Sequence, residues 1–177
     1  MAQKTLAFLK NSNRNFNNIL DSFLNLKDGG SVVPDVALRR NDVVLNGDAN
    51  LNVTEALHAG RTIFQSAITG NKTYSVATPS SAGVHYHFVG EGTGAAAEAQ
   101  EIIIDFADDA VYFQGVLTFL DTGNAISAVW ADESSNDRLT INNNAAYDIH
   151  LYAKSTTIMY IWGNVTSANA PQFADQD

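Results

Sequence analysis

The sequence predicts an all-β fold, specifically an antiparallel β-sandwich of jelly-roll-like type preceded by an extended N-terminal arm with a short helix. From Leu51 onward, short apolar runs recur at intervals of roughly 8 to 15 residues between turn-forming residues. Alternation is clear in Val84, Tyr86 and Phe88, which gives that strand two distinct faces, as in two packed antiparallel sheets. No run in this part keeps a convincing helical period. An open barrel is the alternative architecture.

Turn-forming residues divide this part of the chain into ten predicted strands. Gly and Asn in the separators 69–72 and 121–124 supply the positive φ angles that tight turns need. The predicted strands are residues 51–54, 62–64, 73–77, 84–89, 102–106, 111–119, 126–131, 138–141, 149–153 and 157–162.

Composition limits the class of protein. The chain has 177 residues, of which 45% are hydrophobic, so it can fill a core in one domain plus an extension. It has no Cys, which excludes disulfides and thiolate metal sites. We expect no cleaved signal peptide and no membrane span, because the first apolar run is short and no stretch approaches about 20 apolar residues.

Charge is distributed unevenly along the chain. The formal net charge of −9 argues against binding to nucleic acid, which needs clustered Lys and Arg. Residues 1–50 carry six basic and five acidic side chains, whereas residues 51–177 carry four basic and fourteen acidic ones. This asymmetry indicates an acidic body in solvent and a near-neutral segment in contact with something else, although an imbalance can also arise by chance.

We therefore divide the chain into an arm, residues 1–50, and a β-sandwich domain, residues 51–177. The arm is rich in Asn, and five of its apolar residues follow the i, i+3, i+4, i+7, i+8 spacing of one short amphipathic helix that ends at Asp28. Residues 31–50 read as an extended stretch. The predicted capsid- or partner-binding residues are the apolar helix face and the basic pair: Phe16, Ile19, Leu20, Phe23, Leu24, Arg39 and Arg40.

A histidine pair is the best candidate for metal chemistry. His85 and His87 lie on one face of a predicted strand, and a metal site would need a third ligand from a neighbouring strand. His150 is on another predicted strand, but the sequence alone does not place it beside the pair. A packed or surface polar role is the more common one for such a pair, so we expect no metal site.

Other candidate chemistry is weaker. Asp105, Asp108 and Asp109 have carboxylates that Ca²⁺ could use, but their spacing is not that of a calcium loop, so a solvated turn is expected. The Gly-rich residues 90–94 lack the Lys of a phosphate-binding loop. No Gly-x-Ser-x-Gly elbow is present, and no pair of carboxylates is singled out for glycoside hydrolysis. We therefore expect no catalytic residues and no cofactor.

Large aromatic residues are the remaining signal. Tyr and Trp on a β surface can stack on sugars or anchor a partner, whereas core packing is their more common role. We expect most of the four in the predicted strands to be core residues: Trp130, Tyr152, Tyr160 and Trp162.

Several short motifs together resemble the β-sandwich decoration, or cement, proteins of tailed-phage heads and similar modules in phage fibres. The opening strand Leu-Asn-Val-Thr at residues 51–54 precedes Ala-Gly-Arg-Thr-Ile at 59–63, which is similar to their Gly-Lys/Arg-Thr turn. The chain continues with Thr78-Pro79 and then with Ala-Gly-Val-His-Tyr-His-Phe-Val at residues 82–89. Tyr-Ile-Trp-Gly at 160–163 looks like their final aromatic strand, before a small-residue tail at 168–174.

The resemblance implies a virion structural protein without enzyme activity. Such a protein is made in the host cytoplasm and binds the major capsid protein on the outer surface of the assembled phage head, here through the N-terminal arm. It also implies a homo-oligomer, for which a trimer is the preferred state and a dimer is possible. The alternatives are a fibre-tip or lectin-like glycan-binding module of a phage particle and, less favoured, a sandwich-fold glycan hydrolase.

Overall fold

The computed structural model describes residues 43–91, 99–142 and 144–175. These residues belong to one unit, which runs from Asp42 to Asp177. Within them the chain forms twelve strands and one four-residue helix, which confirms the all-β class. No helix in this described part has the length and apolar character needed to cross a bilayer.

The strands are short and closely spaced. In chain order they are β1 (Val43–Asn46), β2 (Leu51–Val53), β3 (Thr62–Gln65), β4 (Lys72–Val76), β5 (His85–Gly90), β6 (Ile102–Phe106), β7 (Tyr112–Asp121), β8 (Ile126–Asp132), β9 (Arg138–Ile141), β10 (Asn144–Ala153), β11 (Ile158–Ser167) and β12 (Gln172–Ala174). Helix α1 (Glu55–His58) lies between β2 and β3.

All ten predicted strands are present, and β10 and β11 each extend about five residues beyond their predicted bounds. Two further strands, β1 and β12, were not predicted. Each has at most four residues, and the apolar run Val43-Val44-Leu45 has no alternation that would distinguish a strand from a loop.

The strands form two mixed sheets. One has seven strands in the order β1-β3-β5-β10-β11-β7-β8, and the other has five in the order β12-β9-β6-β4-β2. The prediction of antiparallel sheets is wrong, because the pairs β1/β3, β2/β4, β3/β5, β4/β6 and β7/β11 are parallel. In each parallel pair at least one other strand lies between the two in the chain, so the chain can cross over and return in the same direction, which a two-residue hairpin does not allow.

The core is a single buried cluster that takes side chains from both sheets. Tyr74 of the five-stranded sheet stacks on Phe88 of the seven-stranded sheet with ring centroids 5.7 Å apart. Phe106 and Phe113 make a similar contact at 4.5 Å. In β5 the inward residues are fully buried while their neighbours along the strand are only partly buried, which is the period-two pattern of a strand with one covered face.

Residues 43–50, which the sequence analysis assigned to the arm, are joined to the β unit. β1 pairs with β3, and the buried Asn46 donates a hydrogen bond from Nδ2 to Gln65 Oε1 at 2.7 Å. The same Gln65 oxygen accepts a hydrogen bond from the Tyr74 hydroxyl, and Gln65 Nε2 donates to the Gly47 carbonyl at 2.8 Å. These polar groups satisfy one another's hydrogen-bonding capacity inside the core, so side-chain hydrogen bonds link β1 with β3 and β4.

The predicted helix of the arm, and all seven predicted binding residues, lie outside the described residues. The binding role therefore stays a prediction for all seven: Phe16, Ile19, Leu20, Phe23, Leu24, Arg39 and Arg40.

Candidate functional site: the outer face of the seven-stranded sheet

The face of the seven-stranded sheet that points away from the buried cluster is unusually apolar; we call it the outer face. Among the described residues, nine large hydrophobic side chains are exposed, and only Leu57 in α1 is not on this face. The eight on the outer face are Val43, Leu45, Leu120, Ile126, Trp130, Tyr152, Tyr160 and Trp162.

Strand register aligns polar and aromatic side chains in one row across this face. Directly opposed residues in neighbouring strands have Cβ atoms close enough to interact. The row crosses six strands through Thr62, His87, His150, Trp162, Val116 and Trp130.

Three histidines and one tryptophan form a stack within this row. The rings of His87 and His150 are parallel, with centroids 4.1 Å apart, and His150 in turn stacks on Trp162 at 5.2 Å. His85, two residues before His87, is 5.3 Å from His150 and 6.2 Å from Trp162. All four side chains are therefore neighbours on the outer face.

Hydrogen bonds fix the orientation of these rings. His87 Nε2 lies 2.7 Å from Asp148 Oδ1, and its Nδ1 lies 2.9 Å from Thr62 Oγ1. His150 Nδ1 lies 3.0 Å from His85 Nε2. Each ring of the His87–His150 pair thus has one nitrogen held by a neighbour, and both Nε2 atoms lie toward Asp148, with His150 Nε2 at 3.6 Å.

The pKa values of two of the three histidines in the stack are lowered, which favours their neutral form. Burial lowers the pKa of His85, and the nearby His150 and His87 lower it further. Burial also lowers the pKa of His150, an effect that His87 strengthens and that Asp148 opposes. Neutral imidazoles can donate, accept or bind a metal ion.

A shallow pocket of about 280 Å³ opens beside Asp148 and is also lined by Val89 and Asn164. Tyr147 lies against Gly90 at this point, and a Cβ on Gly90 would be 2.3 Å from the Tyr147 ring. Gly163, next to Trp162, has φ +146°, and a Cβ there would be 2.1 Å from the Asp148 carbonyl oxygen. Glycine at these two positions allows the close packing beside the site.

The prediction that His85 and His87 share a strand face is confirmed, and the structure also brings His150 to them. Sequence reasoning missed Asp148, although its position two residues before His150 puts both on the same face of one strand. The expectation that the four aromatic residues are mostly core residues is wrong, because Trp130, Tyr152, Tyr160 and Trp162 are all exposed.

The predicted acidic turn is only partly as expected. Asp108 accepts hydrogen bonds from Thr78 Oγ1 and from the Ala110 amide, as in a solvated turn. Asp105 is instead buried beside Arg138, whose Nη2 lies 3.5 Å from Asp105 Oδ2. Burial raises the pKa of Asp105, while Arg138 opposes that rise.

Comparison of the chain with protein-family models, curated proteins and solved structures finds no match in any of the three. The functional inferences below therefore depend on the geometry of the unit and on the sequence.

Proposed function

We propose that this protein is a non-catalytic structural protein of a phage particle, which decorates the outer surface of the head. Residues 1–41 provide the contact with the major capsid protein, and the β unit projects outward. The observation that best supports an assembly role is the outer face, which gathers eight exposed large hydrophobic side chains on one sheet. Contiguous exposed apolar surface of this kind is typical of interaction sites.

Charge on the outer face also favours an assembly role. Although the unit is acidic, the strand positions on this face hold two carboxylates, Asp132 and Asp148, and no basic side chain. Lys154 reaches over the face from the β10–β11 turn, with its ammonium group 5.4 Å from the centroid of the Tyr160 ring. Depletion of charge and enrichment of aromatic residues distinguish the centres of protein interfaces from other surface.

The two edges of the seven-stranded sheet suggest how copies of the chain assemble. β1 at one edge exposes Leu45 (76%), and β8 at the other exposes Ile126 (74%) and Trp130 (71%). Edge strands also carry unpaired backbone groups. We propose that the β1 edge of one copy contacts the β8 edge of the next, a head-to-tail contact that closes a ring in a homotrimer.

We also propose that the two sheets are the layers of a β-sandwich. The support is the buried cluster, which both sheets share. A jelly roll in the strict sense needs antiparallel neighbours, and the five parallel pairs count against that variant.

Imaging of phage particles tests the decoration role. Cryo-electron microscopy of heads with and without the full chain should show added density on the outer capsid surface at symmetric positions. A chain that begins at Asp42 keeps β1 and should fold, yet fail to bind heads. If the shortened chain binds as well as the full chain, the arm is not the binding element. If no density appears on the outside, the decoration role is wrong.

A second candidate function is glycan binding by a fibre-tip or lectin-like module. The observation that favours it is the exposure of Trp130 and Trp162, because flat aromatic rings on a sheet surface can stack on sugars. A glycan array separates the two functions. Hits that the substitutions Trp130→Ala and Trp162→Ala abolish would support glycan binding, whereas an empty array together with saturable binding to heads would support decoration.

A further inference from the structure

Two neighbouring strands of the outer face bring three metal-binding side chains together. We propose that His87 on β5, with Asp148 and His150 on β10, binds a divalent transition-metal ion of the Zn²⁺ type. The imidazole nitrogens and a carboxylate oxygen of these residues all lie within 4.8 Å of one another. This inference does not depend on the proposed decoration role.

The hydrogen bonds around the two histidines favour this assignment. The Nδ1 atoms of both rings have partners, Thr62 Oγ1 for His87 and His85 Nε2 for His150. Histidines that bind metal ions almost always have their second ring nitrogen held in this way, which fixes the tautomer and the direction of the ring. The Nε2 atoms of both rings face Asp148 Oδ1, which His87 Nε2 contacts at 2.7 Å and which lies 3.6 Å from His150 Nε2; a bound ion would take the place of the proton in the His87–Asp148 contact.

Completing the coordination geometry would need a rotation of both rings out of their present stack. Zn–N and Zn–O bonds of about 2.0 to 2.2 Å place the ligand atoms of a tetrahedral ion roughly 3.3 Å apart. The rings of His87 and His150 are now parallel, 4.1 Å apart, so their in-plane lone pairs do not converge. Rotation of each ring about its Cβ–Cγ bond would direct both toward one point, and three protein ligands would leave a fourth position open to solvent.

The chemistry of the ligands selects the type of ion. Two imidazoles suit Zn²⁺, Cu²⁺ and Ni²⁺, whereas Mg²⁺ and Ca²⁺ prefer sites made only of oxygen atoms. The exposed Asp148 adds one negative charge to the site.

Isothermal titration of the full-length chain, purified without a histidine tag, tests the proposal directly. We expect saturable binding of one Zn²⁺ per chain and no binding of Mg²⁺ or Ca²⁺. Removal of a ligand by His87→Gln, Asp148→Asn or His150→Gln should weaken Zn²⁺ binding by more than about tenfold, since loss of an outer partner alone costs about 10- to 100-fold. His58→Gln is the matched control, because His58 is the one histidine of four outside the stack of His85, His87 and His150, and it should bind as the unaltered chain does.

Fluorescence gives a readout located at the site. Trp130→Phe leaves Trp162 as the sole tryptophan, and its ring lies 5.2 Å from that of His150. Cu²⁺, which binds such sites more tightly than Zn²⁺, should quench this emission saturably, and addition of His150→Gln should abolish the saturable part. The proposal is overturned if the full-length chain shows no saturable Zn²⁺ binding up to about 1 mM, a limit that corresponds to very weak affinity. It is also overturned if the three ligand variants bind as tightly as the unaltered chain.

Discussion

Both faces of the seven-stranded sheet are rich in aromatic side chains, but only one of them is covered. On β5, Tyr86 and Phe88 point inward and are fully buried, while His85 and His87 alternate with them and point outward. On β11, which lies two strands away, Met159 and Ile161 are buried while Tyr160 and Trp162 are exposed. The inner face stabilises the fold, whereas the outer aromatic residues are available for the binding role that we propose.

The largest expected effect contrasts one aromatic residue from each face. Phe88→Ala should lower the free energy of unfolding by about 3 to 5 kcal/mol, because it leaves a cavity against Tyr74. Trp162→Ala should cost less, because the side chain is 43% exposed and its stacking contact with His150 contributes about 0.5 to 1.5 kcal/mol beyond area burial. Urea unfolding measures both changes. Equal losses would mean that the outer face is part of the core.

Polar residues give a second contrast between the faces. Gln65→Leu should cost about 1 to 3 kcal/mol, because Asn46 and the Tyr74 hydroxyl lose a buried partner. Gln114→Leu on the outer face removes only an exposed contact with Lys154 at 3.0 Å, so we expect a change within about 0.5 kcal/mol. Urea midpoints of the two variants provide the comparison, and a costly Gln114→Leu would contradict it.

Alkaline pH gives a graded effect, confined to the buried cluster between the sheets. Burial raises the pKa of Tyr74 to about 12 and also raises that of Tyr86. Between pH 10 and 12 the unfolded chain loses the Tyr74 proton and the folded chain keeps it, so stability falls as pH rises, by up to about 1.4 kcal/mol per pH unit. Unfolding measured across this range checks the slope, which Tyr74→Phe should flatten. If the slope is unchanged in the Tyr74→Phe variant, Tyr74 is not the source of the pH dependence.

Sequence reasoning predicted the strands well because alternation is a local signal. It placed His85 and His87 on one face for the same reason. Alternation defines two faces without showing which one is covered, so the exposure of Trp130 and Trp162 could not be read from it. The position of His150 opposite His87 depends on the pairing of β5 with β10, which are more than 50 residues apart in the chain, and no local pattern encodes that register.

The central claim is that the outer face and edges of the seven-stranded sheet form an assembly surface, and sedimentation velocity of the full-length chain tests it most directly. We predict a trimer for the unaltered chain, and monomers of unchanged circular dichroism for Leu45→Glu at the β1 edge and for Trp130→Glu at the β8 edge. If only one of the two substitutions produces monomers, the copies meet through a twofold contact and not through a head-to-tail ring. A monomeric unaltered chain at about 100 μM, well above the dissociation constant of a stable assembly, would contradict the claim, as would variants that remain oligomeric.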